Sequence, residues 1–198
     1  MGFVMDSGDE LLVGGDELFF TERFIAHYNF MLEDYVPNYD KPIAFFLSCS
    51  KHKPYNRSPY RRVLNAMLEK KIGIRDLSQF YTISEPAIVV PEELDETNIT
   101  QYDFPPDLMK AEGREIFVNR LANLLPKLLA AHKILFYILP RHHRGIFEEA
   151  LAKARTGPNA KLLTRKLVYA PPLTYNLPKA RKIIEETLLE NSFKIESR

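Results

Sequence analysis

The chain has 198 residues, of which 45% are hydrophobic and 27% charged, with 14 prolines and 8 glycines. This composition is typical of a globular protein and excludes collagen-like, coiled-coil and disordered chains. No apolar run approaches the roughly 18 residues that a membrane span needs, so we expect no membrane partner. The length suits one domain, which we place over residues 17–198, after a loose polar N-terminus at residues 1–16.

The cysteine content restricts the chemistry that the chain can carry. Cys49 is its one cysteine, so no disulfide can form within the chain and no multi-cysteine zinc or iron–sulfur site can be built by it. Residues 1–10 also lack the positive and apolar stretches of a secretory signal. We therefore expect a cytoplasmic protein, and we predict neither a metal site nor a cofactor.

The net charge of +1 hides a strong segregation of charge along the chain. Residues 1–40 carry nine acids and one base, and residues 76–117 carry ten acids and two bases. Residues 51–75 carry eight bases and one acid, and residues 118–198 carry fifteen bases and six acids. The basic segments could form a face that attracts RNA or phosphate, or the acidic segments could neutralise them in the fold.

The first half of the chain is predicted to contain helices and strands in alternation. Apolar residues recur at three- and four-residue spacing over residues 17–35, which predicts a helix. A continuous apolar run at residues 43–47 predicts a strand buried on both faces. A second helix over residues 60–71 and a second strand over residues 79–84 follow. Prolines flank residues 88–90, so this extended segment is poorly suited to the centre of a sheet.

The second half continues the same alternation. Pro126 lies inside a long predicted helix and should kink or split it. The sequence predicts a loop over residues 95–106 and strands over residues 133–139 and 162–169. It predicts helices over residues 109–131, 144–154 and 178–190. Alternation of this kind indicates an α/β fold with a mainly parallel sheet and helices on both faces. Because ligands bind at the carboxyl ends of such strands, the informative loops are residues 48–58, 84–106, 140–144 and 170–177.

The loop after the first strand carries the clearest motif. Cys49 lies there among basic residues, which favour the reactive thiolate, although a lone cysteine at a strand end can also pack as a small hydrophobe. The run resembles the signature of the archaeosine synthase catalytic domain, a family related to archaeal tRNA-guanine transglycosylases. Ser48 and Arg61 stand where that family has proline and histidine. The matching positions are Cys49, Lys53, Pro54, Tyr55 and Ser58.

A second block supports the same resemblance. Residues 83–94 are similar to a proline-flanked turn of that family that ends in valine-proline-x-glutamate-leucine, and Tyr102-Asp103 resembles a tyrosine-aspartate that follows it. The resemblance implies a three-layer α/β/α sandwich similar to uracil-DNA glycosylases. It also implies the addition of free lysine to the nitrile of 7-cyano-7-deazaguanine in tRNA, which forms an amidine.

The resemblance suggests a role for each candidate catalytic residue. Cys49 would attack the nitrile carbon, and the amine of lysine would then displace the sulfur. Lys53 would hold the thiolate or polarise the nitrile, and Tyr55 or Ser58 would donate a proton to the nitrile nitrogen. Asp103 would bind the amino group of lysine or the edge of the base. Tyr55 could instead be a packing residue, and Ser58 could be a helix cap.

The partners implied are tRNA, free lysine and a separate RNA-binding subunit, since the family's RNA-binding domain does not fit into this length. A second copy of the chain is a further possible partner, through the acidic residues 76–117. The residues predicted to contact nucleic acid are Lys51, Arg57, Arg61, Arg141 and Arg144. His142 and His143 lie between the last two, in a segment interpreted as a solvated or phosphate-binding loop, because adjacent histidines point in different directions.

Arg61 puts catalysis in question, because an arginine cannot exchange protons near neutral pH as the family's histidine could. The alternatives to an enzyme are therefore a non-catalytic nucleic-acid-binding protein and a structural relative with the same fold.

Overall fold

The middle of the molecule is a β-sheet with helices on both faces. The computed structural model describes residues 10–193. The strands of this range are β1 (Leu12–Val13), β2 (Ile43–Ser48), β3 (Ser78–Ser84), β4 (Ile88–Pro91), β5 (Tyr102–Asp103), β6 (Ile134–Ile138) and β7 (Leu167–Tyr169). The α-helices are α1 (Glu22–Glu33), α2 (Pro59–Met67), α3 (Ala111–Ala130), α4 (Arg141–Thr156) and α5 (Leu173–Glu190).

The main sheet has the strand order β4-β3-β2-β6-β7. All neighbouring pairs are parallel except β3 and β4, which are antiparallel. The mixed α/β class and the mainly parallel sheet are therefore as predicted, and the proline-flanked segment lies at an edge of the sheet. Phe45 of β2 stands in register between Phe80 of β3 and Phe136 of β6, and its ring stacks on that of Phe136 at 5.0 Å.

The two faces of the sheet bury separate apolar clusters. Ala44 and Phe46 of β2 belong to the cluster that includes α1, α3 and α4. Ile43, Phe45 and Leu47 belong to the cluster that includes α2 and α5. Successive side chains of a strand point to opposite faces, so a strand covered on both sides must be apolar at every position. For this reason the sequence of β2 is apolar at nearly every position.

Several boundaries differ from the predicted ones. Of the two predicted effects of Pro126, a kink or a split, the split is wrong, because α3 continues through this buried proline. The strand predicted over residues 162–169 is limited to β7, and α5 starts before residue 178 with a kink at Asn176. Gly73 ends the second helical segment in the left-handed region, with φ of 77°, as predicted.

The chain before α1 is more ordered than predicted. Leu12–Val13 forms a parallel pair with Tyr102–Asp103, which makes a second, two-stranded sheet. The prediction of a loose N-terminus is therefore wrong for residues 10–16, and residues 1–9 lie outside the described part of the chain. Within that part, no helix has both the length and the low polarity that a membrane span requires.

A buried histidine connects α1 to the edge strand β4. His27 is 4% exposed, and its Nε2 donates a hydrogen bond to the carbonyl oxygen of Val89 at 2.8 Å. Burial lowers the pKa of His27 from 6.5 to about 4, although the hydrogen bond acts in the opposite direction. The folded protein therefore holds this imidazole neutral at pH values where the unfolded chain binds a proton.

We expect this difference to make the protein less stable in acid. The contribution of His27 is complete above pH 6.5 and decreases as the pH falls to about 4, because protonation favours the unfolded state. A shift of this size corresponds to about 3 kcal/mol of unfolding free energy between pH 7 and pH 4. Urea unfolding across this range should give a flatter profile for His27→Gln than for the wild type.

The control is His52→Gln, since the side chain of His52 is exposed. Equal pH slopes for His27→Gln and the wild type would show that the buried imidazole does not carry this dependence.

Candidate functional site

Three neighbouring strands end at the same edge of the main sheet and bring three polar side chains together. Cys49 follows β2, Glu85 follows β3, and His143 lies in the first turn of α4, shortly after β6. Because β2 pairs in parallel with both other strands, their carboxyl ends coincide, where ligands bind in open α/β sheets. The connections from β2 and β6 leave in opposite directions, which opens a crevice between them.

The three side chains are within contact distance of one another, and we call them the Cys–Glu–His cluster. Sγ of Cys49 lies 3.8 Å from Nε2 of His143 and 3.9 Å from Oε2 of Glu85. The same Nε2 lies 3.0 Å from Oε2 of Glu85, whose other oxygen is 2.8 Å from Nε2 of His142. Glu85 and His143 are buried, whereas Cys49 is partly exposed. A thiol, an imidazole and a carboxylate therefore share one small volume.

The buried carboxylate determines the charge of the neighbouring imidazole. Burial alone would lower the pKa of His143, but Glu85 and Cys49 outweigh it and raise the pKa to about 10. Burial would also raise the pKa of Glu85, but the two histidines hold it well below its ordinary value. His143 is thus an imidazolium beside a carboxylate at neutral pH, and it can donate a proton next to the sulfur of Cys49.

The cluster lines an open cavity of about 1250 Å³. Basic side chains from the loop after β2 and acidic side chains from the loops around β5 line the same cavity. These residues are Lys51, Lys53, Arg57, Glu96, Asp103 and Asp107. A polar ligand that carries both signs of charge would find complementary groups here.

Two further predicted catalytic residues, Lys53 and Asp103, line this cavity with Cys49. Nζ of Lys53 donates a hydrogen bond to the backbone carbonyl of Tyr102 and lies 3.3 Å from the centre of its ring. Burial lowers the pKa of Lys53 to about 8, although Cys49, Asp103 and Glu85 act in the opposite direction. Three of the five predicted catalytic residues are therefore brought together.

Tyr55 and Ser58 are not among the residues that line the cavity. The hydroxyl of Tyr55 is buried and lies 2.7 Å from the hydroxyl of Tyr102 and 3.1 Å from Oγ of Ser84. Ser58 caps α2, where its Oγ accepts a hydrogen bond from the backbone nitrogen of Arg61 at 3.2 Å. We therefore correct their assignment: both residues shape the loop, and neither is placed to protonate a substrate.

Of the residues predicted to contact nucleic acid, some line the cavity and others do not. Arg61 is 4% exposed, donates to Oγ1 of Thr82 at 2.8 Å and packs on the ring of Phe80. The prediction that it contacts nucleic acid is wrong, because its guanidinium is buried. Arg61 also does not line the cavity. An arginine in place of the family's histidine at this position therefore does not take a side chain away from the cavity wall. Lys51 and Arg57 are exposed at the cavity.

Arg141 and Arg144 lie on α4, whereas the sequence indicated a loop before residue 144. Arg144 is 3.8 Å from Glu148 and packs over the ring of Tyr169. Neither arginine is among the described residues that line the cavity. Their place beside the site, at the start of α4, leaves a contact with a bound nucleic acid as a prediction.

Sequence reasoning missed Glu85 and His143 as functional residues. Glu85 directly follows a predicted strand, which is the same signal that selected Cys49. The sequence predicts a helix that begins at residue 144 and so places the two histidines in a loop, whereas α4 begins at Arg141. Adjacent histidines can serve one site here because the carboxylate of Glu85 has two oxygens and each histidine contacts one of them.

Asp95 holds the cavity loop in place. Its two carboxylate oxygens accept hydrogen bonds from the backbone nitrogens of Tyr55 at 2.7 Å and Asn56 at 2.5 Å. We expect Asp95→Ala to lower the free energy of unfolding by about 3 kcal/mol or more, because hydrogen bonds to a buried charged group contribute roughly 1.5–3 kcal/mol each. Urea unfolding measures this decrease.

Glu96→Ala is the matched control, because Glu96 is exposed and forms a surface ion pair with Arg57, which contributes little to stability. Equal decreases in the two variants would contradict the role given to Asp95.

Comparison with known proteins places the chain in a family. No curated protein matches it. The solved structure titled "Crystal structure of AF0587, a protein of unknown function" has 17% sequence identity and a TM-score of 0.49, over 86% of this chain and 50% of that one. The chain thus spans about half the length of that structure. Residues 23–162 match the family described as Domain of unknown function (DUF5591), and the chain belongs to this family.

Proposed function

We propose that this protein is an amidine-forming transferase that acts on tRNA and resembles the archaeosine synthase catalytic domain. One observation carries the proposal: the cysteine of the motif lies 3.8 Å from a buried imidazolium inside an open cavity. A nitrile accepts a nucleophile at carbon while its nitrogen takes up a proton, and Cys49 and His143 can supply both. The helices on both faces of the sheet are compatible with the uracil-DNA-glycosylase-like sandwich that the resemblance implies.

The first step forms a covalent intermediate. The thiolate of Cys49 attacks the nitrile carbon of 7-cyano-7-deazaguanine, and one π bond of the nitrile breaks as the sulfur–carbon bond forms. The imidazolium of His143 donates its proton to the nitrile nitrogen, which gives a thioimidate and a neutral imidazole. Before this transfer Glu85 orients the ring, because its Oε2 accepts a hydrogen bond from Nε2 of His143.

The second step transfers the group to an amine. A neutral amine of free lysine adds to the thioimidate carbon, and the sulfur–carbon bond breaks to release the thiolate of Cys49. The proton released by the amine returns to the imidazole of His143, so the site regains its starting charge. The product is an amidine, and no electrons are exchanged with an external oxidant or reductant.

Lys53 and Asp103 complete the site in this proposal. Lys53 lies near Cys49 and Glu85, where its cationic form stabilises the thiolate. Asp103 is exposed in the cavity and is placed to pair with an ammonium group of the incoming lysine. Lys51 and Arg57 extend the cavity toward solvent with positive charge, which suits the phosphates of tRNA. The proposed chemistry needs Cys49 as a reduced thiol, and a reducing cytoplasm would keep it in that form.

The decisive test is intact-mass spectrometry of tRNA that carries the cyano-deazaguanine base after incubation with the protein and free lysine. We expect a mass gain that corresponds to lysine, abolished entirely with Cys49→Ala and lowered roughly 10²- to 10⁴-fold with His143→Asn, since removal of a general acid has this effect. His52→Asn should retain the rate of the wild type, because its exposed imidazole has no part in the steps above.

Formation of the adduct by Cys49→Ala at the rate of the wild type would overturn the covalent mechanism. Absence of the adduct with folded wild-type protein, also after addition of a candidate RNA-binding subunit, would favour the non-catalytic or structural alternative.

Binding of tRNA tests the proposed partner separately from catalysis. The affinity should fall with salt, and the negative slope of log K against log [salt] should become smaller in magnitude by about 0.7–0.9 for each phosphate that a variant no longer neutralises. We expect this decrease for Lys51→Ala and Arg57→Ala. Lys179→Ala and Lys182→Ala on α5 are the controls, because these lysines are outside the cavity wall. Equal slopes in all four variants would contradict a tRNA contact at the cavity.

A further inference from the structure

We propose that the Cys–Glu–His cluster is also a zinc site. It offers one sulfur, one carboxylate oxygen and one imidazole nitrogen, which all lie within 4.8 Å of one another. Zinc binds these three donor types, and catalytic zinc sites commonly have three protein ligands and one open position. The mixed donor set suits Zn²⁺ better than Mg²⁺ or Ca²⁺, which prefer oxygen ligands.

The distances between the donor atoms fit a zinc ion. Sγ of Cys49, Nε2 of His143 and Oε2 of Glu85 form a triangle with sides of 3.8, 3.0 and 3.9 Å. The centre of the circle through these corners lies about 2.1 Å from each atom, close to the roughly 2.0–2.3 Å of zinc bonds to nitrogen, oxygen and sulfur. By distance, an ion slightly above this plane can contact all three donor atoms.

The ligands are held by the fold and by an outer contact. Cys49 and Glu85 directly follow β2 and β3, and His143 lies in α4 shortly after β6. These three strands are neighbours in the sheet. The second oxygen of Glu85 contacts Nε2 of His142 at 2.8 Å, and such outer partners orient metal-binding carboxylates. The cavity leaves a fourth position open to water or substrate.

The zinc site was not expected from the sequence because its ligands are far apart along the chain. Cys49 and Glu85 are separated by 36 positions, and Cys49 and His143 by 94. The usual zinc signatures place ligands a few residues apart in pairs. The parallel strand order, and not a local spacing, assembles this site.

Bound zinc would exclude the covalent step. A bound metal would use a lone pair of the Cys49 sulfur. It would also use the lone pair of His143 Nε2, which is free only after that nitrogen has lost its proton, so metal binding releases protons. A zinc-bound cluster can neither attack a nitrile nor protonate it. Zinc binding itself does not depend on the proposed transferase activity, but the inhibition that it should cause does.

The test uses zinc chloride with the full chain and no substrate. Isothermal titration should show one zinc ion per chain, and zinc should protect Cys49 from iodoacetamide. Co²⁺ in place of zinc should give the near-ultraviolet charge-transfer band of a cobalt–thiolate bond. Cys49→Ser should remove the band, and His142→Asn should weaken binding roughly 10- to 100-fold, as removal of an outer partner does.

His52→Asn and Glu96→Gln are the matched controls, since both exposed side chains line the cavity but are not in the cluster. They should bind zinc as the wild type does. If Cys49→Ser does not fold, wild-type protein alkylated at Cys49 replaces it.

Stoichiometric zinc that persists in Cys49→Ser or in alkylated protein, with no cobalt–thiolate band, would show binding elsewhere on the chain and overturn the proposal. Absence of zinc binding by the reduced wild type would overturn it as well. Neither result bears on the mass-spectrometric test of the transferase, because no tRNA or lysine is present.

Discussion

The carboxylate of Glu85 is the group on which the site depends. It is almost fully buried and accepts contacts from His142 on one oxygen and from His143 on the other. A buried carboxylate is costly unless it is paired, and this pairing in turn keeps His143 charged beside Cys49. Removal of the carboxylate would leave a buried imidazolium without its counter-ion, which is more damaging than removal of the whole pair.

The strand order explains why such a cluster can exist in a chain with one cysteine. β2 lies between β3 and β6, so their carboxyl ends deliver Cys49, Glu85 and the start of α4 to the same place. The central strands are buried on both faces and aligned by stacked aromatic rings. A rigid sheet of this kind can hold reactive groups at the short distances that catalysis or metal binding requires.

The proposed covalent chemistry and the proposed zinc site involve the same atoms. Both require the sulfur of Cys49 as an electron donor, and they differ in whether Nε2 of His143 carries a proton or a metal. Most basic and acidic side chains of the cavity wall lie around the cluster and not within it, whereas Lys53 also interacts with Cys49 and Glu85.

The sequence by itself determined the α/β class, the central strands to within a residue at most boundaries, and the place of Cys49 at a strand end. These features depend on local periodicity, capping and turn chemistry, which neighbouring residues carry. Only the tertiary structure decided that Glu85 and His143 join Cys49, that Arg61 is buried against Phe80 and Thr82, and that Tyr55 lies outside the cavity. Pairing of distant strands and burial of a long side chain depend on contacts between residues far apart in the chain, and local patterns do not encode them.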